Sequence, residues 1–272
     1  MTENILDNRI YYRTNEFKDN RETIVFVHGV CGSSSAWWEF EKRLNDKYNL
    51  VAYDIRGHGK SHRYENYTDY EIDEFTNDLY ELINYLNIKK FIMISHSYGT
   101  FISLNFTSKY KEFVKALIFL SPNYDVMTMP QSKIAKPIFD LMTKINFPIS
   151  QNKKRYHLDY LTDYPNSGDF NIRRTFADVS NTGLRVYLYC MKQSFSFRGE
   201  PILGKIDIPV LIIHGKEDSI FPIKHGIEMA KKIPNAKIVM LDNVCHEIKD
   251  SLITINKISD AMENFLKNIN YK

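Results

Sequence analysis

Cysteine is scarce: the chain has three, Cys31, Cys190 and Cys245, far apart and odd in number. That excludes a disulfide framework and a C-x-x-C metal or redox pair, and each reads as a small buried thiol. No run approaches the roughly 18 apolar residues that a membrane-spanning helix needs. The amino-terminal stretch "MTENILDNRIYYRTNE" lacks a signal-peptide hydrophobic region, so a cytoplasmic location is expected. Also missing are a G-x-x-x-x-G-K-[ST] phosphate loop, a G-x-G-x-x-G fingerprint and an H-E-x-x-H zinc motif. His58 and His62 are four apart but sit in a Gly-rich loop, and Cys245-His246-Glu247 is too short to hold an ion alone. Neither a metal nor another cofactor is expected. An excess of one charge is lacking too, since 36 Lys and Arg scattered among 33 Asp and Glu leave a net +3. No nucleic-acid footprint follows, and a small, nearly neutral or apolar partner fits the balance.

What is present is a globular profile, 43% hydrophobic and 14% aromatic over 272 residues, enough for one large α/β domain and an inserted subdomain. Apolar runs at 23–27 and 49–53, then "FIMIS", "VKALIFL", "PVLIIHG" and "AKIVML", read as strands, most of them apolar throughout. Helical patterns alternate with them. From Thr68 a Thr-x-x-Glu capping box precedes Ile72, Phe75, Leu79, Ile83 and Leu86 on one helical face. The final helix repeats Leu252, Ile255, Ile258, Met262, Phe265 and Ile269. Strands alternating with helices imply an α/β fold with a mostly parallel, doubly wound sheet. Between Pro122 and Lys205 no comparable strand occurs, and the chain there is polar and aromatic, with a basic patch "KKRYH" near 153. Such a length is too great for a bare loop, so it reads as a helical insertion packed over one end of the sheet. The expected division is a core built from 1–122 and 206–272, with a helical cap at 123–205.

The stretch "FIMISHSYGTF" turns from a buried strand into a helix at Ser97, with Ser95 and Gly99 small on either side. Small neighbours permit close backbone approach at such an elbow, and the hydroxyl can stand clear of the sheet. A serine at this junction can equally be a helix cap. An alcohol is a poor nucleophile at neutral pH, so a nucleophilic Ser97 requires a base and a group that orients the base. Chain order in an elbow of this kind is Ser, acid, His, each after a strand. Asp218 in "LIIHGKEDSIFP" and His246 in "IVMLDNVCHEI" fall at those places. Asp125, after the preceding strand, is the rival acid. Developing charge on a substrate carbonyl needs N–H donors. The Gly-bearing loop "HGVCGSS" offers the N–H of Val30, with Cys31 as the alternative, and the elbow offers that of Tyr98.

These pieces together resemble the α/β-hydrolase fold superfamily, in the branch with a helical cap: "HGVCGSSSAWW" at 28–38, "DIRGHGKS" at 54–61, "SHSYG" at 95–99, "HGKEDSIFP" at 214–222 and "CHE" at 245–247. They occur in the family's order. The resemblance implies that Asp54, Arg56 and His58 shape an architectural loop beside the site. It also implies a serine hydrolase, esterase-like, that cleaves a small or medium, largely apolar carboxylic ester through an acyl-enzyme. Carbon–carbon bond hydrolases, lactonases and thioesterases of this kind carry the same triad, and a ligand receptor that turns over little is the reading from another class. A Ser nucleophile speaks against dehalogenases and epoxide hydrolases, which use Asp. Ser95 replaces the family's commoner glycine, and Thr100 stands where a second glycine often follows. Trp37 and Trp38 are the candidate substrate-binding wall, beside Tyr98, and Tyr187, Tyr189, Phe195 and Phe197 are candidate lid aromatics.

Overall fold

In the computed structural model, which describes residues 1–145, 147–149 and 155–270, the apolar runs become the strands of one sheet. Its strands are β1 (Thr2–Leu6), β2 (Ile10–Thr14), β3 (Thr23–Val27), β4 (Asn49–Tyr53), β5 (Phe91–His96), β6 (Val114–Leu120), β7 (Val210–Gly215) and β8 (Ala236–Leu241). They lie in the order β1-β2-β4-β3-β5-β6-β7-β8. From β4 to β8 every neighbouring pair is parallel. The sheet is therefore mostly parallel, as the apolar strands imply.

Side chains alternate across a strand, so each inner strand feeds two cores. Val25, Val51, Met93, Leu117 and Ile212 face helices α2 (Ile72–Tyr85), α3 (Gly99–Lys109) and α9 (Lys224–Lys232). Ile24, Leu50, Ile92, Ile118 and Leu211 face α1 (Trp38–Leu44) and α10 (Leu252–Asn270). Each such side chain, taken fully from water, contributes about 1.5–3 kcal/mol. This double burial is why the strands read as continuous apolar runs.

Two local features differ from the sequence reading. The amino terminus forms a hairpin, β1 and β2, joined at Asp7 and Asn8 with φ of 47° and 56°. Positive φ at both central residues suits a tight two-residue turn, and the short polar side chains of Asp and Asn tolerate it. The second difference is the start of α2. Residues Thr68–Tyr70 form a short 3-10 turn, Glu71 is extended at ψ 145°, and the helix begins at Ile72 without a side-chain cap. The Thr68–Glu71 box is not made.

Between β6 and β7 the described residues contribute no strand but five helices, α4 (Ser132–Met142), α5 (Tyr160–Asp163), α6 (Ile172–Thr182), α7 (Leu184–Ser194) and α8 (Glu200–Leu203). Helix α7 packs against both α4 and α6, and its Val186, Tyr189 and Cys190 join the core beside α2 and α3. Lys153 and Lys154 of the basic patch lie outside the described residues. None of the described helices is long and apolar enough to cross a membrane.

The "DIRGHGKS" loop is held by buried charge. Asp54, fully buried, accepts from the N–H groups of Ser34 (2.6 Å) and Lys60 (2.8 Å) and from His157 Nε2 (2.8 Å). Burial alone would raise its carboxyl pKa, but the His157 hydrogen bond and nearby charges hold it below the usual range. Arg56 clasps Asp78 through two bonds of 2.7 Å. Removing one partner of a buried charge network costs about 3–5 kcal/mol. Asp54→Ala is accordingly expected to lower the unfolding free energy by about that much, read from urea denaturation. A stability equal to wild type would show that the loop stands without this carboxylate.

Candidate active site

In a parallel sheet, ligands bind beyond the carboxyl ends of the strands, where neighbouring connections diverge. Here that place is between β3, whose chain continues to β4 on one side, and β5 on the other. The residues after β3, β5, β7 and β8 meet there.

Ser97 follows β5 directly and has φ of 52°. A non-glycine residue held at positive φ is locally strained, and the surrounding contacts must enforce it. Its N–H is tied to the Leu120 carbonyl at 3.1 Å. The next-but-one position must be glycine, because a Cβ on Gly99 would stand 2.6 Å from the Val27 carbonyl oxygen. Ser95 and Thr100, both buried, have hydroxyls without a partner among the described residues.

The elbow brings Ser97 Oγ to 2.8 Å from His246 Nε2, on the loop after β8. His246 Nδ1 donates in turn to Asp218 Oδ2 at 2.9 Å, on the loop after β7. All three residues are buried. Burial would lower the pKa of His246, but the Asp218 charge and hydrogen bond outweigh it and raise the imidazole above the ordinary 6.5. Asp218 is likewise disfavoured by burial, yet His246 and His214 hold its carboxyl well below the usual range. Its other oxygen accepts from the N–H groups of Ile220 (3.0 Å) and Phe221 (2.7 Å), which fixes its orientation. Asp125 is not part of this line. It caps the short turn Val126–Thr128 and faces Arg198 at 3.4 Å.

Two further histidines support the arrangement, and the sequence gives no sign of either. Burial pushes His96 down to about 3, so its neutral ring donates Nε2–H to the His246 carbonyl at 3.0 Å. His214 lies 3.1 Å from Asp218 Oδ2 and bonds the Phe221 carbonyl at 2.7 Å. His28 is architectural, as its place in a turn suggests: it accepts from Ile55 N–H at 3.0 Å and donates to the Gly29 carbonyl at 2.8 Å.

Opposite the elbow, Gly32 N–H bonds the Gly29 carbonyl at 3.2 Å and closes a turn across Val30 and Cys31. Val30 and Cys31 line a cavity of about 790 Å³ together with Ser97 and His246. Tyr98 is the N-cap of α3. Amide groups in a helix's first turn have no acceptor inside the helix, which leaves the Tyr98 N–H available. The cavity walls are largely apolar, with Phe170, Ile172, Phe176 and Ile220 exposed at its mouth.

The aromatic expectations need correction. Trp37 is fully buried against Phe26 and Phe40 in the core beside α1, on the far side of the sheet. Trp38 stands at the start of α1 beneath Arg13, in a separate surface hollow with Met1 and Glu3. Neither lines the cavity. The Tyr98 ring points into the core against Phe75 and Phe101. Of the lid candidates, Tyr187 lines the cavity. Tyr189 packs on Tyr67 and Tyr70, Phe195 on Phe139, and Phe197 on Phe101.

The family model for the alpha/beta hydrolase fold matches residues 22–251. The chain belongs to that family. Among curated proteins, a bifunctional esterase/perhydrolase of Acinetobacter calcoaceticus is 23% identical over 254 residues, covering 86% of this chain and 89% of that one. Among solved structures, a thermophilic esterase of Thermogutta terrifontis superposes with a TM-score of 0.75 at 16% identity, over 96% of this chain and 93% of that one. The enol-lactonase of Burkholderia xenovorans superposes with a TM-score of 0.69 at 17% identity, over 95% and 96%. At these identities the structural likeness establishes the alpha/beta hydrolase fold.

Proposed function

We propose that the protein is a serine hydrolase that cleaves a small or medium, largely apolar carboxylic ester through an acyl-enzyme. The observation that carries this reading is the continuous line from Ser97 Oγ through His246 to Asp218, at 2.8 and 2.9 Å, opening on an apolar cavity. Ser97 Oγ attacks the ester carbonyl carbon while its proton passes to His246 Nε2. The carbonyl oxygen becomes an oxyanion, held by the N–H groups of Val30 and Tyr98 and favoured by the positive end of α3. As the C–O bond breaks, His246 returns the proton to the leaving alkoxide. Water then attacks the acyl group, giving its proton to His246, and the carboxylic acid leaves as Ser97 recovers its hydrogen. Asp218 keeps the imidazole in the tautomer that accepts at Nε2 and stabilises its cation.

Cys31 is no competitor for the nucleophile. Burial, with Asp178 and Cys190 nearby, pushes its thiol well above the ordinary 9.0 and suppresses the thiolate. The segment 123–205 acts in this reading as a cap, because Phe170, Ile172, Phe176 and Tyr187 supply walls that the sheet does not. It would select the acyl or alcohol part of the substrate. The names of similar proteins include an esterase, an esterase/perhydrolase, an enol-lactonase, a carbamate hydrolase and non-heme haloperoxidases, so they do not fix the substrate, and a panel of short and long acyl esters, lactones, thioesters and vinylogous diketones separates the acyl-transfer classes. Preferential turnover of the open-chain esters is expected, with Ser97→Ala severely impaired on all. Preferential cleavage of the diketones, or no turnover of any acyl compound, would contradict the ester reading.

A further inference from the structure

The segment between Tyr164 and Asn171 runs over the loops that carry the acid and the histidine, and one of its side chains bonds both. Asp169 Oδ1 accepts from the Glu247 N–H at 3.1 Å. Its Oδ2 accepts from the Ser219 N–H at 3.0 Å and from the Ser219 hydroxyl at 2.6 Å. Ser219 follows Asp218 and Glu247 follows His246, so a single carboxylate joins the immediate neighbours of the two residues that align Ser97. Both its oxygens are taken by protein donors.

Asp169 is itself anchored. Arg174, buried at the start of α6, donates to the carbonyls of Gly168 (3.0 Å) and Asp169 (3.2 Å) and pairs with the Glu247 carboxylate. Asp250 accepts from the Gly168 N–H at 2.8 Å and from the Ser167 hydroxyl at 3.0 Å. The acid and histidine loops also touch directly: the Glu217 N–H bonds the Val244 carbonyl at 3.0 Å, Lys216 pairs with Asp242 at 2.7 Å, the Phe221 ring packs edge-on against His246 with centroids 5.2 Å apart, and His246 bonds Asp218. Asp169 adds a tie from outside both loops. Loops are the mobile parts of a fold, and two of them must hold the imidazole within a few tenths of an ångström of a productive place.

We propose that Asp169 is a positioning residue, a clamp from the helical insertion that holds the acid and histidine loops together so that Asp218 and His246 stay in line with Ser97. The inference rests on the serine-hydrolase reading and makes the insertion part of the catalytic alignment as well as a wall of the cavity. It carries an electrostatic signature too. His246 faces Asp218 on the loop after β7, His96 at the end of β5, Glu247 on its own loop and Asp169 from the insertion, with His214 bonded behind Asp218 and both Lys249 and Arg174 paired to Glu247. Removing the Asp169 charge withdraws one of the carboxylates that favour the imidazolium.

The test compares wild type with Asp169→Asn, Asp169→Glu and Ser219→Ala, using p-nitrophenyl butyrate for turnover and a fluorophosphonate for labelling. Asp169→Asn is expected to lower kcat by about tenfold to hundredfold with little change in KM, as a small misplacement of a catalytic group does. The acid limb of its pH profile should move to lower pH. Ser219→Ala, which keeps the charge and removes one donor, should fall between it and wild type, and serves as the milder variant if Asp169→Asn does not fold. Asp169→Glu should recover part of the pH profile. An unchanged kcat and pH profile in Asp169→Asn, with wild type active, overturns the clamp alone; so does a rise in KM alone, which would make Asp169 a substrate contact. Wild type that neither labels nor turns over overturns the serine reading instead. The low-field NMR signal of the His246 Nδ1 proton reports on the clamp without turnover: broadening or a shift in Asp169→Asn is expected, and an identical signal refutes it.

Discussion

Ser97→Ala is expected to reduce ester hydrolysis by about a millionfold, the scale seen when a nucleophile is deleted from a working triad. The side chain carries this effect through one contact, the 2.8 Å bond to His246 Nε2. Removing the hydroxyl leaves the oxyanion donors and the cavity intact, so the residual rate should exceed that of the uncatalysed reaction. His246→Ala should lose about as much, and the double variant little more, because the two residues act as one unit. Initial rates with p-nitrophenyl butyrate measure all three. Strictly additive losses would contradict a shared proton transfer. The positive φ of Ser97 is imposed by the strand-to-helix turn and Gly99, so the alanine variant should fold as wild type does.

Asp218→Asn is expected to lower kcat by about ten thousandfold, because the amide can donate to Nδ1 and favour the wrong imidazole tautomer. Asp125→Asn should leave kcat nearly unchanged, since that carboxylate serves a short turn and Arg198. The reverse outcome would transfer the orienting role to Asp125. The pH profile gives the sign independently. In wild type the His246 imidazole lies above the ordinary 6.5, since the Asp218 charge outweighs burial. The base is active when neutral, so kcat/KM should rise with pH through a midpoint above 6.5. Without the Asp218 charge, burial would dominate and the residual activity's acid limb should move below the wild-type midpoint. A limb that stays in place would show that another group sets it.

The parallel character of the sheet was legible because double burial writes itself as unbroken apolar runs such as "VKALIFL", whereas the lateral order of the strands is not written in such runs. The elbow was legible because a sharp strand-to-helix turn demands small residues at fixed offsets, and Gly99 meets that demand against the Val27 carbonyl. The amino-terminal hairpin was harder to see: β1 is exposed along most of its length, so its pattern carries no core signal, and the turn residues Asp7 and Asn8 were its one local sign. The Thr68–Glu71 box failed because an extended Glu71 separates the 3-10 turn from the helix. Trp37 and Trp38 follow the Gly29–Gly32 turn closely in sequence, yet the chain turns away there and packs Trp37 into the core beside α1. Conversely, Asp169 reaches Glu247 across 78 positions, and no local periodicity encodes such a contact. His96 and His214 sit at strand ends, where sequence cannot tell a buried donor from a ligand.

The most direct measurement is intact-protein mass spectrometry after treatment with a fluorophosphonate, followed by peptide mapping. Wild type should gain one phosphonyl group, carried by Ser97, and His246→Ala should label far more slowly. An unlabelled wild type, an adduct on another residue, or equal labelling rates in the two proteins would contradict an alcohol activated by that imidazole.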